Sequence, residues 1–459
     1  MSGRIRVALV FLALLALCWV GAVLWWQCSP QIVTSSDLLI GLLLVPLSVC
    51  VAVGLGWLGW RRFSAPAAAT APIATTAADE SPKALAAPTE VLVLAAGIST
   101  AGGDVASAVI EGIAGGELMP GPEAEFLDFD GMPVRMQRVA DLGVDDVHDW
   151  LAVEGAECSA LPSSFLRALA LVPAALLPVI EQVVAAMPEP VSRHAAPRAL
   201  PIVVRALVPQ SWNESHQALA MRWIEHLIAR VWSETAPPVR LTASGDSGTA
   251  LGEIRAWQAD TTQIRNLLLL ALDSQIDEGV IERAASEGLL FAHDRPEGLV
   301  PGEAAAAVLL ARPATANGWP VLARLHPPLS AQRDAPPRAT GRADAALLES
   351  LLSAALDGVA TSADAVAAVF SEGDVRPTRA VEIAAAMNNV LPHLDPVADR
   401  VGLGAALGDL GAAGTTLALA LAAAHTEQTQ KPTLLAALAD PLSRGVLLLQ
   451  AYEPESATS

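Results

Sequence analysis

The 459-residue chain has only four cysteines and eight histidines, and neither set is arranged for metal or disulfide chemistry. Cys18 and Cys50 lie in long apolar runs, Cys28 lies between those runs, and Cys158 alone belongs to the remainder. There is no CxxC pair, no zinc-spaced His/Cys group and no HExxH, so a disulfide framework and metal catalysis are disfavoured and no cofactor is implied. Basic charge is also scarce: 28 Lys and Arg stand against 48 Asp and Glu, a net of −20. Residues 1–89 hold five basic and three acidic groups, a balance of +2 that leaves −22 for residues 90–459. Such a surface excludes nucleic acid, whose phosphates need basic side chains, and disfavours broad contact with an anionic leaflet. It suits solubility or a basic partner.

Charge is missing altogether from two stretches near the N-terminus. Val7 to Trp26 is a run of twenty uncharged residues, and Leu38 to Trp60 is slightly longer. At ~1.5 Å per residue, a helix of that length spans the ~30 Å of a bilayer's hydrocarbon core. The polar link from Gln27 to Asp37 contains Pro30, which suits a turn. The sequence therefore predicts a transmembrane hairpin over 1–62, with spans at about 7–26 and 38–60. A cleavable signal peptide would share the basic start but not the length, nor Trp25-Trp26 in place of small residues. Arg4 and Arg6 precede the first span, Arg61 and Arg62 follow the second, and the link has no Lys or Arg. The positive-inside rule then places both ends, and everything after residue 62, in the cytoplasm. Trp25, Trp26, Trp57 and Trp60 fall where indole rings favour the headgroups.

Residues 63–89 are rich in Ala, Pro and Thr without apolar periodicity and read as an extended tether. From residue 90 to about 455 the pattern alternates. Helical stretches are expected at 104–114, 164–186, 214–234, 262–272, 280–289, 344–357, 377–390 and 411–424. Apolar strands are expected at 90–94, 201–207, 304–311 and 444–451. This alternation implies an α/β architecture with helix-covered sheets, its length fitting one compact unit of two fused halves. The proline-rich stretch 326–337 is the expected connection between the halves.

Four segments, in order, give this pattern a family. They are Val91-Leu92-Val93-Leu94-Ala95-Ala96-Gly97, with the loop to Asp104; Phe126-Leu127-Asp128-Phe129-Asp130-Gly131-Met132-Pro133; Leu272-Asp273-Ser274, followed by Pro296-Glu297-Gly298-Leu299-Val300-Pro301-Gly302-Glu303-Ala304-Ala305-Ala306-Ala307-Val308-Leu309-Leu310; and Leu407-Gly408-Asp409-Leu410-Gly411-Ala412-Ala413-Gly414. They resemble the β-ketoacyl synthases of the thiolase fold, whose third and fourth motifs read G-x-DS…G-x-x-PGEAAAAVLL and GHxxGAAG; the last is one residue shorter here. The resemblance covers about 90–415 and implies duplicated helix–sheet–helix layers.

Condensation by that family needs a cysteine thiolate at a helix N-terminus and two histidines that stabilise developing negative charge. The window for the nucleophile, Leu241 to Ala250, holds Ser244, Asp246 and Ser247 but no cysteine. The nearest histidines in sequence, His226 and His293, belong to no triad motif. Cys158-Ser159 comes too early in the domain to fill the slot. The stretch comparable to the first histidine loop, Val366 to Asp374, has no histidine, and Asp409 stands where the second histidine is expected. The family's nearby lysine is missing between Val401 and Leu407. Ser244, Asp246, Ser247 and Asp409 are thus vestigial active-site positions, with Asp246 and Asp409 candidates to face one another. Glu303 is expected to be a buried structural carboxylate bonded to backbone amides. Gly411 and Gly414 are expected to permit close packing, and no GxxxxGK[ST] phosphate loop occurs.

The resulting expectation is a bacterial inner-membrane protein with a cytoplasmic, non-catalytic thiolase-like domain that serves as a binding scaffold. The anchored layout resembles that of type VI secretion adaptors, which implies a secreted effector as the protein partner. Pairing through sheets, as in thiolase-fold enzymes, implies a homodimer. Two other functions compete: an acyl-thioester enzyme using Ser244, Ser247 or Cys158, and a non-catalytic partner of a true synthase.

Overall fold

The computed structural model describes residues 90–128, 130–187, 199–245, 248–260, 265–316, 318–334, 344–373 and 375–453. The expected hairpin (1–62) and tether (63–89) lie outside them. The first half runs β1 (Val91–Thr100), α1 (Ala106–Ala114), β2 (Gly121–Leu127), β3 (Pro133–Met136), α2 (Asp145–Val153), α3 (Ser163–Ala186), β4 (Ile202–Pro209), α4 (Glu214–Val231), β5 (Val239–Ser244), α5 (Gly248–Ala259), β6 (Asn266–Ser274), α6 (Glu278–Ser286) and β7 (Glu303–Ala311). The second runs β8 (Ala323–Leu325), β9 (Leu329–Gln332), α7 (Ala346–Asp357), β10 (Ala368–Ser371), α8 (Pro377–Val390), β11 (Arg400–Gly402), α9 (Leu403–Leu407), α10 (Gly414–Thr429), β12 (Thr433–Ala437) and β13 (Ser443–Gln450).

Strand order shows the duplication. The first half reads β5-β4-β6-β7-β1 and the second β11-β10-β12-β13-β8. If the main strands of each half are ranked in chain order, both read 3-2-4-5-1. In both, the three strands on the outer side run parallel and the fourth in line is antiparallel to its neighbours. The halves join where their first strands pair, Val91↔Leu325 to Val93↔Ala323. The β2–β3 ribbon stands apart as a two-stranded sheet, and Asp128, Asp130 and Gly131 form its turn.

Composition follows from what each strand faces. Every residue of β7 is buried. Ala304, Ala306, Val308 and Leu310 join one core with Leu417, Ala418 and Leu421 of α10. Ala305, Ala307, Leu309 and Ala311 join another with Leu169, Val172 and Leu176 of α3. A strand covered by a helix on each face loses the polar alternation of a half-exposed strand, and alanine lets both helices approach. The helix α3 is long and apolar enough to cross a membrane. Here Phe165, Leu169, Val172, Leu176, Val179 and Val183 are buried, and it packs on β1, β6 and β7. In the second half, Glu382 of α8 takes a two-pronged bond from Arg444 (Nε to Oε1 2.8 Å, Nη2 to Oε2 3.0 Å) and a third contact from Arg333 at 2.9 Å.

Two expectations need correction. Residues 262–272 were expected to be helical, yet 266–274 form β6, buried throughout. A continuous leucine run has no period by which to tell a doubly covered strand from a buried helix. The connection between the halves is also misplaced at 326–337. Since β8 is the second half's first strand, the junction falls between Ala311 and Ala323, and 329–332 form β9 against β13.

Candidate functional site

In open α/β sheets, loops at the carboxyl ends of parallel strands carry the ligand sites. Here those ends are Pro209 of β4, Ser244 of β5 and Ser274 of β6, and the α9–α10 loop packs on β4 and β6. The register Pro209↔Ser244 places Ser244 at the strand end, 7% exposed. Asp246 and Ser247 lie outside the described residues, as does any facing of Asp246 and Asp409. His226 stacks on Trp223 (centroids 5.6 Å) in a cluster with Trp150, a packing role. Cys158 points its Sγ at the His148 carbonyl, 3.9 Å away.

Asp409 occupies the centre. Its Oδ2 lies 2.9 Å from Arg376 Nη2. Its Oδ1 accepts from the Gly411 amide at 3.2 Å and from Gln275 Nε2 at 3.4 Å. Its own amide donates to the Val300 carbonyl at 2.7 Å. Arg376 lies two residues beyond the stretch Val366 to Asp374 compared above with the first histidine loop. The end of the β10–α8 loop is therefore bridged to the Asp409 position by an arginine–aspartate pair.

A second carboxyl lies behind it. Asp273 Oδ2 accepts from the Ala412 amide at 2.8 Å. Burial pushes its pKa up to about 7, against the pull of that amide bond and with a further push from the negative charge of Asp409. Glycine is obligatory beside it: Gly411 has φ +50°, and a Cβ there would stand 2.0 Å from Asp273 Oδ2. A Cβ on Gly414 would meet Glu372 Oε2 at 2.9 Å. The expected close packing of these glycines is thus packing against carboxylates. Glu372 itself is buried, with Oε1 accepting from the amides of Leu438 (2.8 Å) and Ala439 (3.0 Å).

Glu303 is the buried carboxylate the sequence suggests, but its partners differ from the expectation. One backbone amide, Val139, donates at 2.7 Å. The remainder is Ser274 Oγ at 2.7 Å and the Arg167 guanidinium, Nε at 2.9 Å. It ties α3, β6 and β7 together beneath the site.

Chemically, the cluster offers one carboxyl able to hold a proton near neutrality and one carboxylate committed to a guanidinium. No thiol or imidazole bonds to Asp273, Asp409 or Arg376 among the described residues. A carboxylate in a place where an oxyanion develops would oppose it, whereas donors would stabilise it. Among the described residues no group of three or more His, Cys, Asp and Glu could hold a metal. Sequence reasoning missed Arg376, Thr378, Arg379 and Glu297. The one local signal was proline at the first helical position of α8, which marks a helix start beside the site.

Comparison with known proteins fits this geometry. No curated protein matches the chain. Among solved structures, the ishigamide ketosynthase/chain length factor superposes with a TM-score of 0.54 at 14% identity, covering 79% of this chain and 100% of that one. The ketosynthase from module 6 of the bacillaene synthase of Bacillus subtilis 168 gives 0.54 at 10% identity, over 79% and 72%. A type II polyketide ketosynthase in complex with its acyl-carrier protein gives 0.53 at 14% identity, over 80% and 100%. At these identities the likeness is one of fold. Residues 322–450 match the family model described as type VI lipase adapter protein Tla3, C-terminal. The domain therefore has the thiolase-like ketosynthase fold, and its second half, which carries Arg376 and Asp409, is similar to the C-terminal region of a type VI lipase adapter.

Proposed function

We propose that this protein is a membrane-anchored adaptor that binds a lipase effector of a type VI secretion system on a ketosynthase-like domain without condensing activity. The observation that carries this reading is the match of residues 322–450 to the lipase-adapter model. The Arg376–Asp409 pair supports the loss of chemistry, since Asp409 stands where the resemblance expects an imidazole and its carboxylate is committed to Arg376. The absence of cysteine between Leu241 and Ala250 supports it independently. The two uncharged runs before residue 62 support an anchor in the bacterial inner membrane with the domain in the cytoplasm. Tethering would hold the effector beside the secretion machinery. A homodimer is compatible with the fold and forms no part of the argument.

The test uses the full chain in its native host. Deleting the gene should abolish lipase release while leaving lipase synthesis intact, and the lipase should co-purify with the tagged chain. Release of thiol from an acyl thioester by the purified chain, lost on Ser244→Ala or Cys158→Ala, would overturn the reading in favour of an enzyme. Co-purification of a synthase in place of a lipase would instead make the chain a synthase partner. A reporter active only in the cytoplasm, fused after Ser459, should give signal; a silent cytoplasmic reporter with an active periplasmic one reverses the orientation.

A further inference from the structure

The helix α8 begins without a cap of its own, because Arg376 at the capping position makes no side-chain bond to it. The missing acceptor arrives from far away in sequence. Glu297 Oε1 accepts from the Thr378 amide at 2.8 Å, and its Oε2 accepts from the Thr378 hydroxyl at 2.6 Å. Both carboxylate oxygens are thereby committed to one residue, and Arg379 Nη1 stays 3.9 Å from Oε2. Arg379 is 6% exposed. It donates to Thr378 Oγ1 at 3.1 Å, while its Nε has no partner among the described residues. A buried guanidinium beside a helix N-terminus is a strong donor for an anion, and here it meets the resident carboxylate only as a 3.9 Å ion pair, beyond hydrogen-bond distance.

Glu297 sits in a loop held by a parallel bridge, Phe291 N–H to the Leu299 carbonyl (2.9 Å) and Leu299 N–H to the Leu289 carbonyl (2.6 Å). Its side chain is 28% exposed, so water reaches the carboxylate and a side-chain rotation can release it while Leu290 and Leu299 stay packed in their core. A phosphoryl group has three terminal oxygens where a carboxylate has two. Two can take the places of the Glu297 oxygens on Thr378, and the third can complete a charge-assisted bond to Arg379.

We propose that Thr378, Arg379 and the first turn of α8 form a binding site for a phosphate monoester, and that Glu297 is a resident competitor which that ligand displaces. The inference is independent of the adaptor reading and stands or falls without it. A soluble phosphate monoester and a phosphatidic acid headgroup offer the same chemistry.

Calorimetric titration of the full chain in neutral detergent with inorganic phosphate tests the site. Glu297→Ala should bind phosphate at least about tenfold more tightly than the wild type, a change of ~1.4 kcal/mol. Adding Thr378→Val should cancel that gain. Glu297→Gln keeps an oxygen for the Thr378 amide but removes the competing charge, so it should also tighten binding even if the alanine variant disturbs the helix. Glycerol 3-phosphate and short-chain phosphatidic acid, offered to Glu297→Gln at equal concentration, distinguish the two sources by which binds better. Undetectable phosphate binding by the wild type and by folded Glu297→Gln alike overturns the site and leaves Glu297 a helix cap only.

Discussion

Arg376 and Asp409 close a 2.9 Å ion pair between the β10–α8 and α9–α10 loops, with side chains 21% and 13% exposed. Among the described residues, removing Arg376 would leave Asp409 with the Gly411 amide and Gln275 as donors. An exposed pair is worth ~0–1 kcal/mol and breaking a fully buried one costs ~3–5 kcal/mol, so Arg376→Ala should cost about 2 kcal/mol. The urea midpoint of the full chain, with unchanged slope, measures it. Asp409→His should leave thioester release at background, because an imidazole alone supplies no nucleophile.

Asp273 should make stability depend on pH. Its carboxyl titrates at about 7 in the folded chain, raised chiefly by burial. In the unfolded chain it titrates near ~3.9. Between those values the folded state holds a proton that the unfolded state has lost, so stability falls as pH rises. Its contribution is complete below about pH 4 and is lost as pH passes through about 7. Asp273→Asn keeps an acceptor for the Ala412 amide and cannot ionise. Unfolding midpoints measured from pH 4 to 8 should therefore decline less steeply in the variant than in the wild type.

The Glu382 cluster gives a third expectation. Arg444 is 0% exposed and Glu382 1%. Glu382→Gln would leave two guanidinium groups without their shared counter-charge, which should cost ~3–5 kcal/mol. Replacing Glu382 and Arg444 together with leucine and methionine should recover part of that loss, because the desolvation cost of Arg444 disappears while Arg333 keeps Asp344 at 3.4 Å. Denaturant midpoints of the single and double variants decide it.

The sequence revealed these sites unevenly, for physical reasons. The strand β7 was legible because Ala304–Ala311 is apolar without interruption after Pro301-Gly302-Glu303, and its motif placed it in the fold. The strand β6 was misread as a helix because leucine serves both states when both faces are covered. The helix α5 and the strands β5 and β12 went unnoticed, being short or weakly patterned. Asp409 was found through its motif, whereas Arg376 was not. Nothing local in Val375-Arg376-Pro377 says that the guanidinium will meet Asp409, since that depends on how two distant loops close. The same applies to Glu297, which caps a helix 81 residues away.

The stretch matched to the adapter model opens one residue before β8 and closes on the last residue of β13. It is one complete half of the duplication, yet β8 is hydrogen-bonded to β1 and α10 packs on β1, β6 and β7. Residues 322–450 expressed alone would bare the apolar face of α10, so circular dichroism with dye binding should report a collapsed chain without a cooperative melt. The stretch similar to the adapter model is thus smaller than the unit whose layers cover one another. Substitutions in β1, β6 or β7 that strip the cover from α10 should therefore disturb the second half as much as substitutions within it.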